Sequence, residues 1–131
     1  MAESELYESG RRMRRRLLGN AAAEKMAKRA QDDPIIRKIS DYACEAVFGM
    51  LWTRPGLGIK TRTLICVISD AAQGRWPELE IHLRMARNHG WTEEELSEAL
   101  MHLCGYVGLP SVREAMLTAS GVFREMRTEV A

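Results

Sequence analysis

An all-α fold is what this 131-residue sequence predicts, on three observations. Apolar residues recur three and four apart through most of the chain, which is the period of a helix face and not of a strand. Glycine and proline fall between these segments and leave only short connections. The stretch richest in β-branched residues, Thr61 to Ala72, has no companion strand elsewhere, and its length suits a buried helix.

The opening helix is expected from about Ser4 to Leu18, with Gly10 as a weak point and Gly19-Asn20 as its stop signal. Its apolar side, Leu6, Met13, Leu17 and Leu18, is thin and lies beside many arginines. Such a stripe suits a terminal arm packed on a neighbouring subunit as well as on its own core. A single domain over 1–131 is therefore expected, with 1–32 as a possible helical arm and 33–131 as the core. A second helix runs through Ala21 to Ala30. Asp33-Pro34 then reads as an N-cap followed by proline at the first helical position, where its missing N–H costs nothing. The helix it opens carries Ile35, Ile36, Ile39, Tyr42, Ala43, Ala46, Val47 and Met50 at helical spacings and is expected to be a core element. Trp52 to Gly58 breaks it, because Pro55 turns Arg54 away from helical geometry and two glycines loosen the chain, so Trp52 and Arg54 are loop residues.

Within Thr61–Ala72 the apolar residues are Leu64, Ile65, Val67, Ile68 and Ala71, and Arg62 enters at the first turn. Asp70 is a charge set late in this apolar helix; the expectation is exposure at the helix edge. A helix over Glu78–His89 follows Trp76-Pro77 and closes on Gly90. Thr92-x-x-Glu95 is a capping box opening the next helix, whose core stripe is Leu96, Ala99, Leu100, Leu103 and Val107, with Gly105, Gly108 and Pro110 ending it. A last helix, from about Ser111 to Thr128, carries Val112, Ala115, Met116, Ala119 and Val122.

Hydrophobic residues at 46% and charged residues at 28% match a soluble globular protein and not a disordered or membrane one. The N-terminus is polar and then basic with no apolar run behind it, so neither a signal peptide nor a lipid anchor is expected, and the expected location is cytoplasmic. Cys44, Cys66 and Cys104 lie far apart in apolar segments, which excludes the locally paired thiolates of a zinc ribbon or a dithiol centre. The basic run Arg11 to Arg16 follows acidic Glu3, Glu5 and Glu8 on one helix, and the net charge is only +1, so no nucleic-acid partner is expected. The apolar faces of at least five helices exceed what so short a chain covers alone, which predicts a homo-oligomer.

The chemistry centres on the helix from Glu78. Glu78 and His82 stand one turn apart on the same face, a spacing that lets a carboxylate orient an imidazole so that its other nitrogen works as a proton donor or acceptor. Glu98 and His102 repeat that spacing. A metal site is not expected from them, because carboxylate-bridged metal helices use Glu-x-x-His and additional glutamates.

Taken in order, Tyr7-x-x-Gly10, Leu18-Gly19, Trp52-x-Arg54-Pro55-Gly56-Leu57, Arg62-Thr63-Leu64, Glu78-Leu79-x-x-His82 and Tyr106-x-Gly108-x-Pro110 resemble the 4-carboxymuconolactone decarboxylase family over nearly the whole chain. The resemblance implies the helical bundle, about six to seven helices, shared with the alkylhydroperoxidase D proteins, assembled as ring-shaped trimers or hexamers. The peroxidase branch of that superfamily carries Cys-x-x-Cys-x-x-x-His. Aligned on His82, its two cysteine positions are Arg75 and Glu78 here, so the thiol nucleophile is missing. The decarboxylase branch has glutamine where this chain has His102, and a Pro-Ala-Ala-Asn-like ending where it has Pro110-Ser111-Val112-Arg113.

Decarboxylation of a carboxylated unsaturated lactone sends electrons through the double bond into the lactone carbonyl, and the resulting dienolate must be protonated on carbon. The substrate supplies its own electron sink, so no cofactor and no metal is implied. The resemblance then implies His82 as proton donor with Glu78 as its orienting partner or second proton carrier. Arg62 or Arg54 would bind a substrate carboxylate as a charge-assisted pair, with Tyr106, His102 and Trp52 on the wall of the site.

Overall fold

The protein is seen in a computed structural model that describes residues 4–130. No strand occurs among the described residues, and the all-α class holds. The chain divides into two compact units between Leu57 and Gly58.

The first unit contains α1 (Glu5–Leu18), α2 (Asn20–Asp32) and α3 (Pro34–Tyr42), the last running on into a π-helical stretch, Ala43–Leu51. Ser4 caps α1 by accepting from the Tyr7 amide, and Asp33 caps α3 by accepting from the Ile35 and Ile36 amides, with Pro34 in the first turn. Glu3 lies outside the described residues. Gly10 is no weak point. A Cβ there would run into the Cys44 carbonyl, and one on Gly49 would run into the Leu6 carbonyl, so two glycines let α1 and the π-helical stretch meet backbone to backbone. The Cys44 thiol completes the contact, donating to the Tyr7 carbonyl at 3.3 Å.

The helix expected to run unbroken from Pro34 to Met50 changes its winding at Ala43, and its end is marked by the Trp52 amide reaching back five residues to the Val47 carbonyl at 2.9 Å. Nor is α3 a core element. It buries no residue, and Ile35, Ile39, Tyr42 and Met50 are all more than half exposed. Helical periodicity marks which face is apolar without saying what covers it.

The second unit is built from α4 (Ile59–Gln73), α5 (Trp76–Asn88), α6 (Glu93–His102), the short α7 (Cys104–Val107) and α8 (Leu109–Val130). Val67 and Ala71 of α4, Leu79, Leu83 and Ala86 of α5, Leu96 and Leu100 of α6, and Ala115, Ala119, Val122 and Phe123 of α8 form one core. Both hydrogen bonds of the Thr92–Glu95 capping box are made, at 3.0 Å each. Arg84 joins α5 to α8 through Glu125 and Glu129. Two expectations change here. Ile65 is half exposed, so α4 is amphipathic and not buried all round. The predicted stripe of α6 stops short of Val107, because the chain turns at Leu103 and again at Gly108, whose φ of 93° suits glycine; Pro110 then lies in the first turn of α8 and opens that helix. No helix among the described residues is long and apolar enough to cross a membrane.

Candidate functional site

The α4–α5 hairpin brings together the groups best suited to proton chemistry. Gly74 closes α4 in the left-handed conformation, with φ of 69°, and Pro77 sits in the first turn of α5. Packing Val67 and Ala71 against Leu79 and Leu83 then fixes how the two helices face each other. On that seam, twelve residues apart in sequence, Asp70 of α4 and His82 of α5 form a hydrogen-bonded pair between Oδ2 and Nδ1. An ionised carboxylate only accepts, so the imidazole donates from Nδ1, and Nε2 is the nitrogen left for a reactant. The Asp70 side chain is 9% exposed and that of His82 21% exposed, which suits a buried anchor holding a ring that a small molecule can reach.

Asp70 is therefore buried, not exposed at the helix edge as the sequence suggested. What excludes it from water is the same hairpin packing that supplies its partner. The partner the structure gives His82 is Asp70 and not Glu78, which is exposed in the first turn of α5. One turn before Asp70, burial and the Asp70 charge push the Cys66 thiol up to about 11, so at neutral pH it is a protonated thiol and no nucleophile.

The other predicted residues fall in several places. Arg62 is half-buried in the first turn of α4, next to Thr63, whose buried hydroxyl donates to the Lys60 carbonyl at 2.6 Å. His102 at the end of α6 and Tyr106 in α7 are brought together, ring centroids 5.4 Å apart and tilted by 34°, both on the surface. Trp52 and Arg54 belong to the first unit, where Trp52 is buried and Arg54 exposed in the turn after the π-helical stretch. Among the described residues, no three His, Cys, Asp or Glu side chains gather closely enough to hold a metal ion. Sequence reasoning passed over Asp70 as a functional residue. The signal was there: a carboxylate inside the most apolar helix is seldom buried without a partner.

Fold and site together define an all-helical protein whose second unit holds a buried carboxylate–imidazole pair fitted for general acid–base work. A model of the carboxymuconolactone decarboxylase family matches residues 38–120, and the chain belongs to that family. It is 32% identical over 126 residues to the 4-carboxymuconolactone decarboxylase of Acinetobacter baylyi, covering 96% of this chain and 92% of that one. It is 35% identical over 121 residues to the nitrosuccinic acid decarboxylase of Metarhizium robertsii, covering 92% and 83% of the two chains. An uncharacterised 15.0 kDa protein of Paracoccus denitrificans is 30% identical over 123 residues, covering 92% and 90%.

Proposed function

We propose that this chain is a carboxy-lyase that needs no cofactor, acting on 4-carboxymuconolactone or a related small carboxylated lactone or oxo-acid, with His82 protonating the dienolate. The observation that carries the reading is the Asp70–His82 pair, set in a member of a decarboxylase family. Loss of carbon dioxide leaves its electron pair on the substrate, spread into the lactone carbonyl. His82, entering the step as the imidazolium, then gives its Nε2 proton to carbon and is left neutral, while Nδ1–H stays hydrogen-bonded to the Asp70 carboxylate. His82 regains a proton from water, and exposed Glu78, one turn earlier on α5, is placed to relay it. Arg62, on α4 in the unit that carries His82, holds a substrate carboxylate, and Tyr106 and His102 shape the site. With that substrate the protein would serve aromatic catabolism in the cytoplasm.

Similarity to a nitrosuccinic acid decarboxylase favours a second substrate class, the 2-nitro acids. The chemistry is the same in outline, since a nitro group on the carbon that loses carbon dioxide takes up the electron pair and the carbon is again protonated. Incubating the purified protein with each compound and measuring carbon dioxide release separates the two. Release from the lactone alone supports the first reading, release from nitrosuccinic acid alone the second, and tight binding of both without release defeats the decarboxylase reading.

The protein works as a homo-oligomer, a trimer or hexamer, in this proposal. Support comes from the apolar side chains left in water by each unit, Ile35, Ile39 and Tyr42 on α3 and Ile65, Leu109 and Leu117 in the second unit. Light scattering is expected to give three or six chains per particle. A monodisperse monomer at micromolar concentration contradicts it.

A further inference from the structure

The arginine run of α1, which the decarboxylase reading leaves unused, lines a cleft of about 360 Å³ in the first unit. Tyr7, Arg11, Arg14 and Arg15 share one face of α1, at successive turns. Opposite them α2 offers small side chains, Ala23, Ala27 and Ala30, also a turn apart, and α3 closes the end with Arg37, Ser40 and Asp41. Four arginines against one aspartate leave the wall with a formal charge of +3.

Arg14 is the fixed point of this cleft. Its two Nη groups donate to the Ser40 hydroxyl and the Ser40 carbonyl, at 3.3 Å each, and its guanidinium lies 4.9 Å from the centre of the Phe48 ring. Held in this way, its Nε is buried without an acceptor. A buried donor with no partner is unfavourable unless something supplies the acceptor. Arg15 and Arg37 make no ion pair among the described residues, so their charge is not spent on neighbouring carboxylates.

From this geometry we propose that the α1–α2–α3 cleft is a binding site for a small dianion, a dicarboxylate or a phosphate, seated on Arg14, Arg15 and Arg37. The volume is of the size that ligand pockets commonly have, and the alanine wall leaves room for a ligand of a few carbons instead of filling it with protein. Guanidinium groups suit oxyanions because their planar donors pair two oxygens at once. None of the residues that line the cleft is one that the decarboxylation reading uses, so the cleft is proposed as a second site.

Thermal unfolding of the 131-residue chain tests the proposal, because a ligand that binds only the folded chain raises the midpoint further as its concentration climbs above the dissociation constant. Succinate and inorganic phosphate are titrated in turn at constant ionic strength, alongside calorimetry. Saturable binding of succinate in preference to phosphate identifies a dicarboxylate site; the reverse preference identifies a phosphate site. In either case Arg14→Gln is expected to weaken binding at least tenfold. Ala27→Leu, which fills the cleft and changes no charge, is expected to do the same, and it answers the question even if Arg14→Gln disturbs the fold. Arg16→Gln removes an equal charge from an exposed position on α1 outside the cleft and is expected to bind as wild type does. Equal weakening by Arg16→Gln and Arg14→Gln, or full binding by Ala27→Leu, would show a diffuse basic surface and overturn the site, as would the absence of saturable binding by either anion.

Discussion

His82→Gln is expected to lower turnover by about 10²–10⁴-fold, the size of a general acid's contribution. Glutamine keeps a polar side chain of similar reach on α5 and still donates to Asp70, so helix content and particle size should stay as they are. Substrate affinity should change far less than turnover, because the proton moves only after the substrate is bound. The measurement is steady-state kinetics on folded variant and wild type with the same substrate. His102→Gln is the control, since His102 stands one turn from Glu98 and packs its ring against Tyr106 at the surface. If His82→Gln turned over normally while a well-folded His102→Gln were dead, the catalytic centre would belong to the Glu98–His102–Tyr106 stripe.

Much of the fold could be read from residues that act locally. Asp33-Pro34, the Thr92–Glu95 box, Gly90 and the proline after Trp76 each set a helix end through neighbours in sequence, and each stands close to where the sequence put it. What stayed hidden depends on contacts between helices. The role of Gly10 requires knowing that the Cys44 carbonyl comes to lie against it, thirty-four residues on. The exposure of Ile35, Ile39 and Tyr42 requires knowing that nothing in their own unit covers α3. The site shows the same division. His82 stands out from its helix, but a local search for its partner finds Glu78 at one turn, whereas the hairpin brings in Asp70 from the preceding helix.

That exchange of partner makes Asp70→Asn the sharper experiment. The asparagine is nearly the same size and can still accept from Nδ1–H, so the hairpin should fold. It carries no charge, though, and its amide can equally donate, which frees the ring to take the other tautomer. Turnover is expected to fall by about 10–100-fold, the size of effect seen when the group orienting a histidine is altered, with little change in the substrate concentration at half-maximal rate. Nitrogen NMR of the His82 ring should show the Nδ1 proton firmly placed in the wild type and shared between the two nitrogens in the variant. A second readout comes from Cys66, because the Asp70 charge helps hold its thiol up at about 11. Neutralising that charge should let the thiolate form at a lower pH, visible in ultraviolet titration, though burial will keep it above its ordinary value. Glu78→Gln should cost less than Asp70→Asn, since a water-exposed relay can be replaced by water itself. Wild-type turnover in Asp70→Asn, with an unaltered ring signal and the larger loss in Glu78→Gln, would return the orienting role to Glu78 and leave Asp70 as a structural anchor of the α4–α5 hairpin.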